Sequence, residues 1–227
     1  MKLIITNDDG IEAQGLLTLA DLASRWGDIW VVAPAEPQSG VGHQLTKDRT
    51  IRVDQLSDKY YRVWGTPADC TRLAVECFVR DTDWVLSGIN HGSNLGVDIY
   101  ESGTVAAARE AAIHGYKAIA LSHYIFDGRS ISWPLAAQRL TPVLDRLLKG
   151  TQEPGYFFNV NLPHPEHNRI PLETKSAHVD TSPDKKMFTP NSNGFKYTAI
   201  YHERQYQPGS DIDYCFNGDI SMSEIKV

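Results

Sequence analysis

The chain opens with Lys2-Leu3-Ile4-Ile5-Thr6-Asn7-Asp8-Asp9-Gly10, a short apolar run that stops at three polar residues and a glycine. The run is too short to span a membrane and is typical of a buried strand. Ligands of an open α/β sheet bind at the carboxyl ends of its strands. Two adjacent carboxylates repel each other there unless a cation lies between them, and Mg²⁺ and Mn²⁺ prefer oxygen ligands. Asp8 and Asp9 are therefore candidate ligands of a divalent metal. The alternative is that Asn7 to Gly10 only forms a turn before the next helix.

Composition narrows the class of protein. The chain has 227 residues, of which 41% are apolar and 22% charged, which fits one large domain or one domain with an appendage. A net charge of -6 disfavours long nucleic acid as a partner.

Cys70, Cys77 and Cys215 form no CxxC pair, which argues against a disulfide scaffold or a zinc site and suits a cytoplasmic protein. Cys70 and Cys77 lie at core spacing, so we expect both to be buried. The sequence shows neither a signal peptide nor a membrane-spanning run, so we expect no membrane contact.

Apolar periodicity predicts alternating strands and helices from residue 1 to residue 163, and hence a doubly wound, mainly parallel α/β sheet with helices on both faces. The remaining residues, 164–227, are predicted to form a C-terminal, β-containing arm with late strands at Phe195 to His202 and Asp213 to Met222. The predicted elements before the arm are a strand ending at Thr6, a helix from Glu12 to Trp26, strands at Asp28 to Ala33, Thr50 to Val53, Tyr60 to Trp64 and Trp84 to Leu86, helices starting at Pro67 and near Ser102, a strand at Lys117 to Ser122, a helix from Trp133 to Leu148 and a strand at Tyr156 to Leu162.

Two further stretches follow predicted strand ends. The long loop from Pro34 to Asp48 carries Ser39, whose hydroxyl could bind a metal or a phosphate. The segment from Ser87 to Asp98 is rich in glycine and asparagine, residues that allow close backbone approach and offer amide oxygens and N–H groups. A helix that starts near Ser102 offers free N–H groups to an anion. The alternatives are a flexible loop, a glycine-rich linker and an ordinary capped helix.

Several short motifs, taken together, resemble those of the SurE family of survival nucleotidases. They occur in the expected order and spacing over roughly the first half of the chain: Asn7-Asp8-Asp9-Gly10, Ser39-Gly40, Gly65-Thr66-Pro67-Ala68-Asp69-Cys70, Ser87-Gly88-Ile89-Asn90-x-Gly92-x-Asn94-x-Gly96 and Ser102-Gly103-Thr104-Val105.

The resemblance implies a Rossmann-like catalytic domain, residues 1–163, that hydrolyses nucleoside monophosphates as a metal-dependent 5'- or 3'-nucleotidase. It implies one Mg²⁺ or Mn²⁺ per subunit and a C-terminal region, residues 164–227, that forms a homodimer or homotetramer. Asp8 and Asp9 are also the candidate catalytic residues, with Asp8 orienting or deprotonating the attacking water. The implied metal ligands are Asp8, Asp9, Ser39 and Asn90; the implied phosphate- or substrate-binding residues are Asn7, Gly40, Asn94, Ser102, Gly103 and Thr104.

Glu101 departs from the family pattern, and because of it a second, non-catalytic function is considered as well. Family members usually carry tyrosine where this chain has Glu101, and a carboxylate beside an anion site repels phosphate unless it points away. The rival function is therefore a non-catalytic module that binds a nucleotide or a metal. A haloacid-dehalogenase-type phosphatase is disfavoured, because neither Asp8 nor Asp9 is followed two positions later by another Asp. A redox dehydrogenase is disfavoured because no GxGxxG is present.

Overall fold

The protein is described here from a computed structural model that covers residues 1–164, 172–183 and 188–227. Parts of the predicted arm, residues 165–171 and 184–187, lie outside the described residues. Within the described chain no helix is both long enough and apolar enough to cross a bilayer.

The expected α/β fold is confirmed, with helices packed on a mainly parallel central sheet. Eleven strands and five α-helices are described: β1 (Lys2–Thr6), α1 (Gln14–Ala23), β2 (Asp28–Pro34), β3 (Val53–Ser57), β4 (Tyr60–Val63), α2 (Pro67–Leu73), β5 (Trp84–His91), α3 (Gly103–Ile113), β6 (Lys117–His123), α4 (Trp133–Lys149), β7 (Tyr156–Leu162), β8 (Thr174–Ser176), β9 (Phe188–Asn191), β10 (Gly194–Tyr197), α5 (Asp211–Phe216) and β11 (Ile220–Lys226).

The order of strands places a topological switch point beside β1. The nine-stranded sheet runs β3-β4-β2-β1-β5-β6-β7-β11-β8, and β1 pairs in parallel with both β2 and β5. The chain first builds outward from β1 through β2 and then returns to the other side with β5. In open α/β sheets, ligands bind in the crevice that such a reversal leaves at the carboxyl ends of the strands. Asp8 and Asp9 therefore follow the strand beside which this crevice opens.

Both faces of the sheet are covered by apolar side chains. One cluster packs α1 and α4 on the sheet and includes Leu16, Leu19 and Leu140, all fully buried. The other packs α2 and α3 on the opposite face and includes Val105 and Ala108. Burial on both faces explains why the central strands are almost entirely apolar in sequence.

The late elements differ from the prediction. The segment predicted as a strand from Asp213 begins as helix α5, and the strand that follows, β11, starts at Ile220. β11 pairs antiparallel with β7 and parallel with β8, so the described part of the C-terminal region extends the main sheet. Among the strands that the structure describes, the hairpin of β9 and β10 alone forms a separate two-stranded sheet. The division at residue 163 into a catalytic domain and an oligomerisation region stays a prediction.

The three cysteines differ in exposure, and the expectation that Cys77 is buried is wrong. Cys70 and Cys215 are buried, whereas Cys77 is exposed. Residues Ala74–Phe78 form a π-helical turn after α2, and its wider turn breaks the 3.6-residue period that would have placed Cys77 below Cys70.

Cysteine labelling tests this arrangement. Under native conditions we expect one thiol per chain, Cys77, to react quickly with a thiol reagent such as Ellman's reagent. Burial raises the pKa of Cys70 and Cys215 well above the usual value, so both remain protonated and inaccessible. All three should react in denaturant, and Cys77→Ser should remove the fast native reaction. Rapid labelling of that variant in its folded state would contradict the assignment.

Candidate functional site

The candidate site lies between the carboxyl ends of β1 and β5, where three segments meet. Asp8 and Asp9 follow β1, Asn90 lies near the end of β5, and α3 begins at Gly103. A β-bulge between Ser87 and Asn90 alters the register of β5 against β6. The strand predicted to end at Leu86 therefore continues to His91.

Asp8 faces the amino-terminal end of α3. Its carboxylate accepts a short hydrogen bond from the Thr104 hydroxyl, and the side chain is buried. A Cβ added at Gly103 would lie 2.8 Å from the Asp8 Cβ and 3.0 Å from its Oδ2, so only glycine permits this approach. Burial raises the pKa of Asp8 to about 6; the bond from Thr104 lowers it and the neighbouring Asp9 raises it. A raised pKa means that the ionised carboxylate lacks sufficient compensating positive charge in the protein alone.

Asp9 and Asn90 are each held by one side-chain hydrogen bond, which leaves one oxygen of each side chain without a partner among the described residues. Asp9 Oδ2 accepts a hydrogen bond of 2.9 Å from the backbone N–H of His91. Asn90 donates from Nδ2 to the Gly92 carbonyl at 2.9 Å. Among the described residues, neither Asp9 Oδ1 nor Asn90 Oδ1 has a hydrogen-bond partner. Both oxygens remain available to a ligand.

Asn7 contributes to the turn rather than to the open crevice. Its Nδ2 donates to the Gly10 carbonyl at 3.0 Å, and its Oδ1 is buried without a hydrogen-bond partner in the described structure. Gly10 has a φ of 100°, a conformation that favours glycine. The bond from Asn7 to Gly10 closes the turn that the sequence offered as the alternative, and this turn carries the two carboxylates.

The long loop after β2 brings Ser39 to the same rim. The Gln38 N–H donates to the Asp8 carbonyl at 2.7 Å, and the Gly42 N–H donates to the Glu101 carbonyl at 2.9 Å. Ser39 and Gly40 lie between these two anchors and are exposed. These two bonds hold the loop against the end of β1 and the segment before α3, and Ser39 directly follows the first anchor. The Glu101 side chain is exposed as well.

The residues predicted to bind phosphate have different local roles. Ser102 caps α3, because its Oγ accepts from the Val105 N–H at 3.0 Å. The Thr104 side chain is fully buried, and its hydroxyl donates to the Asp8 carboxylate. Asn94 donates from Nδ2 to Ser122 Oγ at 2.8 Å. Ser102 and Thr104 lie at the start of α3 beside Asp8, whereas Asn94 is held at the ends of β6 and β7. All three are engaged with protein groups, and their assignment to phosphate stays a prediction.

Sequence reasoning missed the residues that hold the Asn94 segment. Asn161 Oδ1 accepts from the Asn94 N–H at 2.8 Å, and Asn159 Nδ2 donates to the Asn94 carbonyl at 2.8 Å. Asp211, at the start of α5, accepts from the Gly96 N–H at 2.8 Å. The sequence does carry a signal for Asn159 and Asn161: both lie on one face of the otherwise apolar strand β7. Buried polar groups need hydrogen-bond partners, so such a pair indicates a polar contact there.

Sequence reasoning also missed the cluster that anchors the Ser39 loop. Glu110 of α3 is almost fully buried and contacts His43 Nε2 at 2.7 Å, His114 Nε2 at 3.2 Å and Arg72 Nε at 3.4 Å. Burial alone would raise the pKa of Glu110, but the hydrogen bonds from His43 and His114 outweigh it and leave the pKa below its ordinary value of 4.5. The charged carboxylate therefore binds the loop to α3.

We expect Glu110→Gln to lower the free energy of unfolding by about 1–3 kcal/mol at pH 7, since it leaves buried donors badly paired. A lowered carboxyl pKa contributes stability above the unfolded-state pKa, and that contribution is lost as the pH falls through the lower folded-state value. The difference between wild type and variant should therefore shrink from pH 7 to pH 3.5 in urea unfolding. Glu76→Gln is the control, because Glu76 is exposed and contacts His114 at the longer distance of 3.6 Å. Equal differences at both pH values would contradict this role of Glu110.

The chemistry of the donors fits a hard divalent cation. Nowhere among the described residues do three or more His, Cys, Asp or Glu side chains gather into a metal-binding group. A cation here would depend on two carboxylates together with amide and hydroxyl oxygens, the ligand types that Mg²⁺ and Mn²⁺ prefer over nitrogen or sulfur.

Comparison with known proteins identifies the family. The family model described as "Survival protein SurE" matches residues 3–182. A Nostoc sp. (strain PCC 7120) protein named "Putative 5'-nucleotidase alr3139" is 45% identical over 100% of both chains. A protein of Allorhizobium ampelinum named "5'-nucleotidase SurE" is 35% identical over 100% of this chain and 92% of its own. The crystal structure of the SurE protein from Aquifex aeolicus superposes with a TM-score of 0.86 at 29% identity, covering 100% of this chain and 93% of that one. The chain therefore belongs to the SurE family.

Proposed function

We propose that this protein is a metal-dependent 5'-nucleotidase that hydrolyses nucleoside monophosphates to a nucleoside and phosphate. The observation that carries the proposal is the convergence of Asp8, Asp9 and Asn90 at the switch point, with unpaired oxygens on Asp9 and Asn90. The names of the relatives from Nostoc and Allorhizobium support the reaction class.

In this proposal one Mg²⁺ or Mn²⁺ binds to Asp8, Asp9, Asn90 and Ser39. When bound, such a cation polarises a phosphoryl oxygen and makes water a stronger nucleophile at neutral pH. Asp9 and Asn90 supply oxygens that have no hydrogen-bond partner among the described residues, and Ser39 would add a hydroxyl from the loop that is anchored to Asp8 through Gln38. Asp9 and Asn90 are held by hydrogen bonds to backbone groups and Asp8 by the Thr104 hydroxyl, so these three ligands need little reorganisation when the cation binds.

Asp8 has two proposed roles, as a ligand and as the group that orients or deprotonates the attacking water. Its burial and its raised pKa support a carboxylate that accepts a proton more readily than an exposed aspartate does. Thr104 and Gly103 position it, the first by its hydroxyl bond and the second by allowing close contact. The N–H groups at the start of α3, with Asn94, are proposed to receive the charge of the phosphate.

The test is phosphate release from a panel of 5'- and 3'-nucleoside monophosphates with Mn²⁺, with Mg²⁺ and with a chelator. We expect release that requires a divalent metal and is lost in Asp9→Ala. Asp28→Ala is the control, because Asp28 is an exposed aspartate at the amino-terminal end of β2, away from the carboxyl ends that carry the site. Calorimetric metal titration should show weaker binding to Asp9→Ala. Folded protein that binds metal and nucleotide without releasing phosphate would favour the non-catalytic module.

Assembly into a homodimer or homotetramer is also proposed, with the β9–β10 hairpin as the contact surface. The hairpin is exposed along its length and presents Phe188, Phe195 and Tyr197 to solvent. Exposed aromatic clusters of this kind mark protein interfaces. Light scattering coupled to size exclusion should give a mass of two or four chains, and Phe195→Glu should lower it.

A further inference from the structure

A cavity of about 460 Å³ opens beside the candidate metal site and has no role in the chemistry described so far. It lies outside the carboxyl ends of β1, β2 and β4, and Asp9 and Trp64 both contribute to its wall. The volume falls within the range of about 300–1,000 Å³ that small-molecule sites occupy. Asp9 therefore belongs both to this wall and to the candidate metal site, so a phosphate ester bound at that site would have its remaining substituent beside the cavity.

The charges of the lining select against a second phosphate. Asp9, Glu12 and Glu36 bring three carboxylates to the cavity, and Arg62 brings a single guanidinium. Arg62 Nη2 already donates to Glu12 Oε1 at 2.7 Å. An acidic lining repels further phosphate groups and favours a neutral, hydrogen-bonding substituent. The outer part of the substrate is therefore expected to be uncharged.

Trp64 lines the cavity, and its indole is held in place from one side by Arg52. The Arg52 guanidinium lies over the indole with its Cζ 4.0 Å from the ring centroid. Arg52 is itself held by Asp54 through two hydrogen bonds of 3.2 and 2.9 Å. The backbone N–H of Trp64 donates to the Arg52 carbonyl at 3.0 Å. An aromatic ring oriented before binding stacks on a base with little loss of side-chain freedom.

We infer that this cavity receives the nucleoside half of a nucleoside monophosphate, with the base stacked on Trp64. This inference rests on the proposed function, since it places the phosphate at Asp8 and Asp9. It names Trp64 as a specificity-determining residue: its ring distinguishes substrates that carry a base from phosphate esters that lack one. Stacking on an aromatic ring tolerates any base, so the residue selects for nucleotides as a class.

The experiment compares Trp64→Ala and Trp64→Phe with wild type on two substrates, AMP and ribose 5-phosphate, which lacks the base. Trp64→Ala should lower the ratio of kcat/KM for AMP to that for ribose 5-phosphate by about 5- to 100-fold, mainly through KM. Trp64→Phe should retain most of the ratio, because phenylalanine keeps an aromatic face. Trp133→Ala is the matched control: Trp133 is also half-buried and lines a separate cavity of about 370 Å³ that contains no candidate site residue.

An unchanged ratio in Trp64→Ala would overturn the inference; if kcat/KM also falls equally on both substrates, Trp64 only supports the rim. If wild type releases phosphate from neither substrate, the proposed function fails and calorimetry with adenosine decides the inference separately. Adenosine binding that weakens in Trp64→Ala supports the cavity as a nucleoside site. Unchanged affinity, or no binding to wild type, overturns it.

Discussion

Asp8→Asn is expected to reduce metal-supported phosphate release about 10²- to 10⁴-fold in kcat/KM, the range that a positioned acid–base group contributes. Asparagine keeps the shape of the side chain and can still accept the hydrogen bond that Thr104 donates to Asp8. It removes the negative charge that would bind the cation and the basic oxygen that would receive a proton from water. The loss therefore reports on charge and basicity rather than on packing.

The same substitution is expected to stabilise the metal-free protein at neutral pH. The pKa of Asp8 rises from 3.8 to about 6 on folding, so the folded protein holds this proton more tightly than the unfolded chain does. Stability consequently falls as the pH rises from about 4 to about 6, and it stays lower above that range. The shift corresponds to an upper limit of about 3 kcal/mol at pH 7.5. Asparagine cannot ionise and escapes this loss.

Urea unfolding in the presence of a chelator, at pH 4.5 and pH 7.5, measures the effect. We expect Asp8→Asn to be more stable than wild type at pH 7.5, with a much smaller difference at pH 4.5. Adding Mn²⁺ should stabilise wild type more than the variant, because a ligand that binds only the folded state shifts the unfolding equilibrium. A variant that is less stable than wild type at pH 7.5 without metal would show that the Asp8 charge is compensated by the protein itself.

The sequence predicted the central sheet well because its strands are buried on both faces. Apolar runs such as those ending at Thr6 and at Leu162 have few alternatives once the length of the run excludes a helix. The residues at the ends of these strands were found for the same reason: a switch point in the strand order gathers them without any knowledge of side-chain contacts.

Most features that the sequence did not predict depend on contacts between distant parts of the chain. Helix α5 is the exception, because its start is marked in the sequence itself. Strand β5 continues past its apolar run because Ser87 and Asn90 pair with β6, a long-range partner that local pattern does not reveal. Helix α5 was predicted as a strand although Ser210 accepts a hydrogen bond from the Asp213 N–H, the Ser-x-x-Asp start signal of a helix. The contacts of Glu110 with His43 and Arg72 join residues far apart in the chain, so spacing alone could not place them together.

Gly103→Ala is expected to lower kcat/KM about 100-fold, because it separates the start of α3 from the carboxylates after β1. The added Cβ would lie 2.8 Å from Asp8 Cβ, 3.0 Å from Asp8 Oδ2 and 3.0 Å from Pro67 Cγ. None of these atoms is the free end of a flexible side chain, since Asp8 is held by Thr104 and proline is a ring. Helix α3 must therefore move away by a fraction of an ångström to about 1 Å, and misplacement of that size can cost about 10²-fold in rate.

The effect on folding should be much smaller than the effect on catalysis, and this contrast makes the prediction specific. Overpacking at a buried contact costs about 1–3 kcal/mol, whereas alanine in place of glycine favours a helix by up to about 1 kcal/mol, so the two partly cancel. Gly150→Ala, at the far end of α4, is the control, since its Cβ would meet only carbonyl oxygens at 3.3 and 3.5 Å. Thermal unfolding, metal titration and kcat/KM should be measured on both variants. Full activity in folded Gly103→Ala would mean that the close contact between α3 and Asp8 serves packing alone, and the role of the α3 amino terminus in positioning Asp8 would have to be given up.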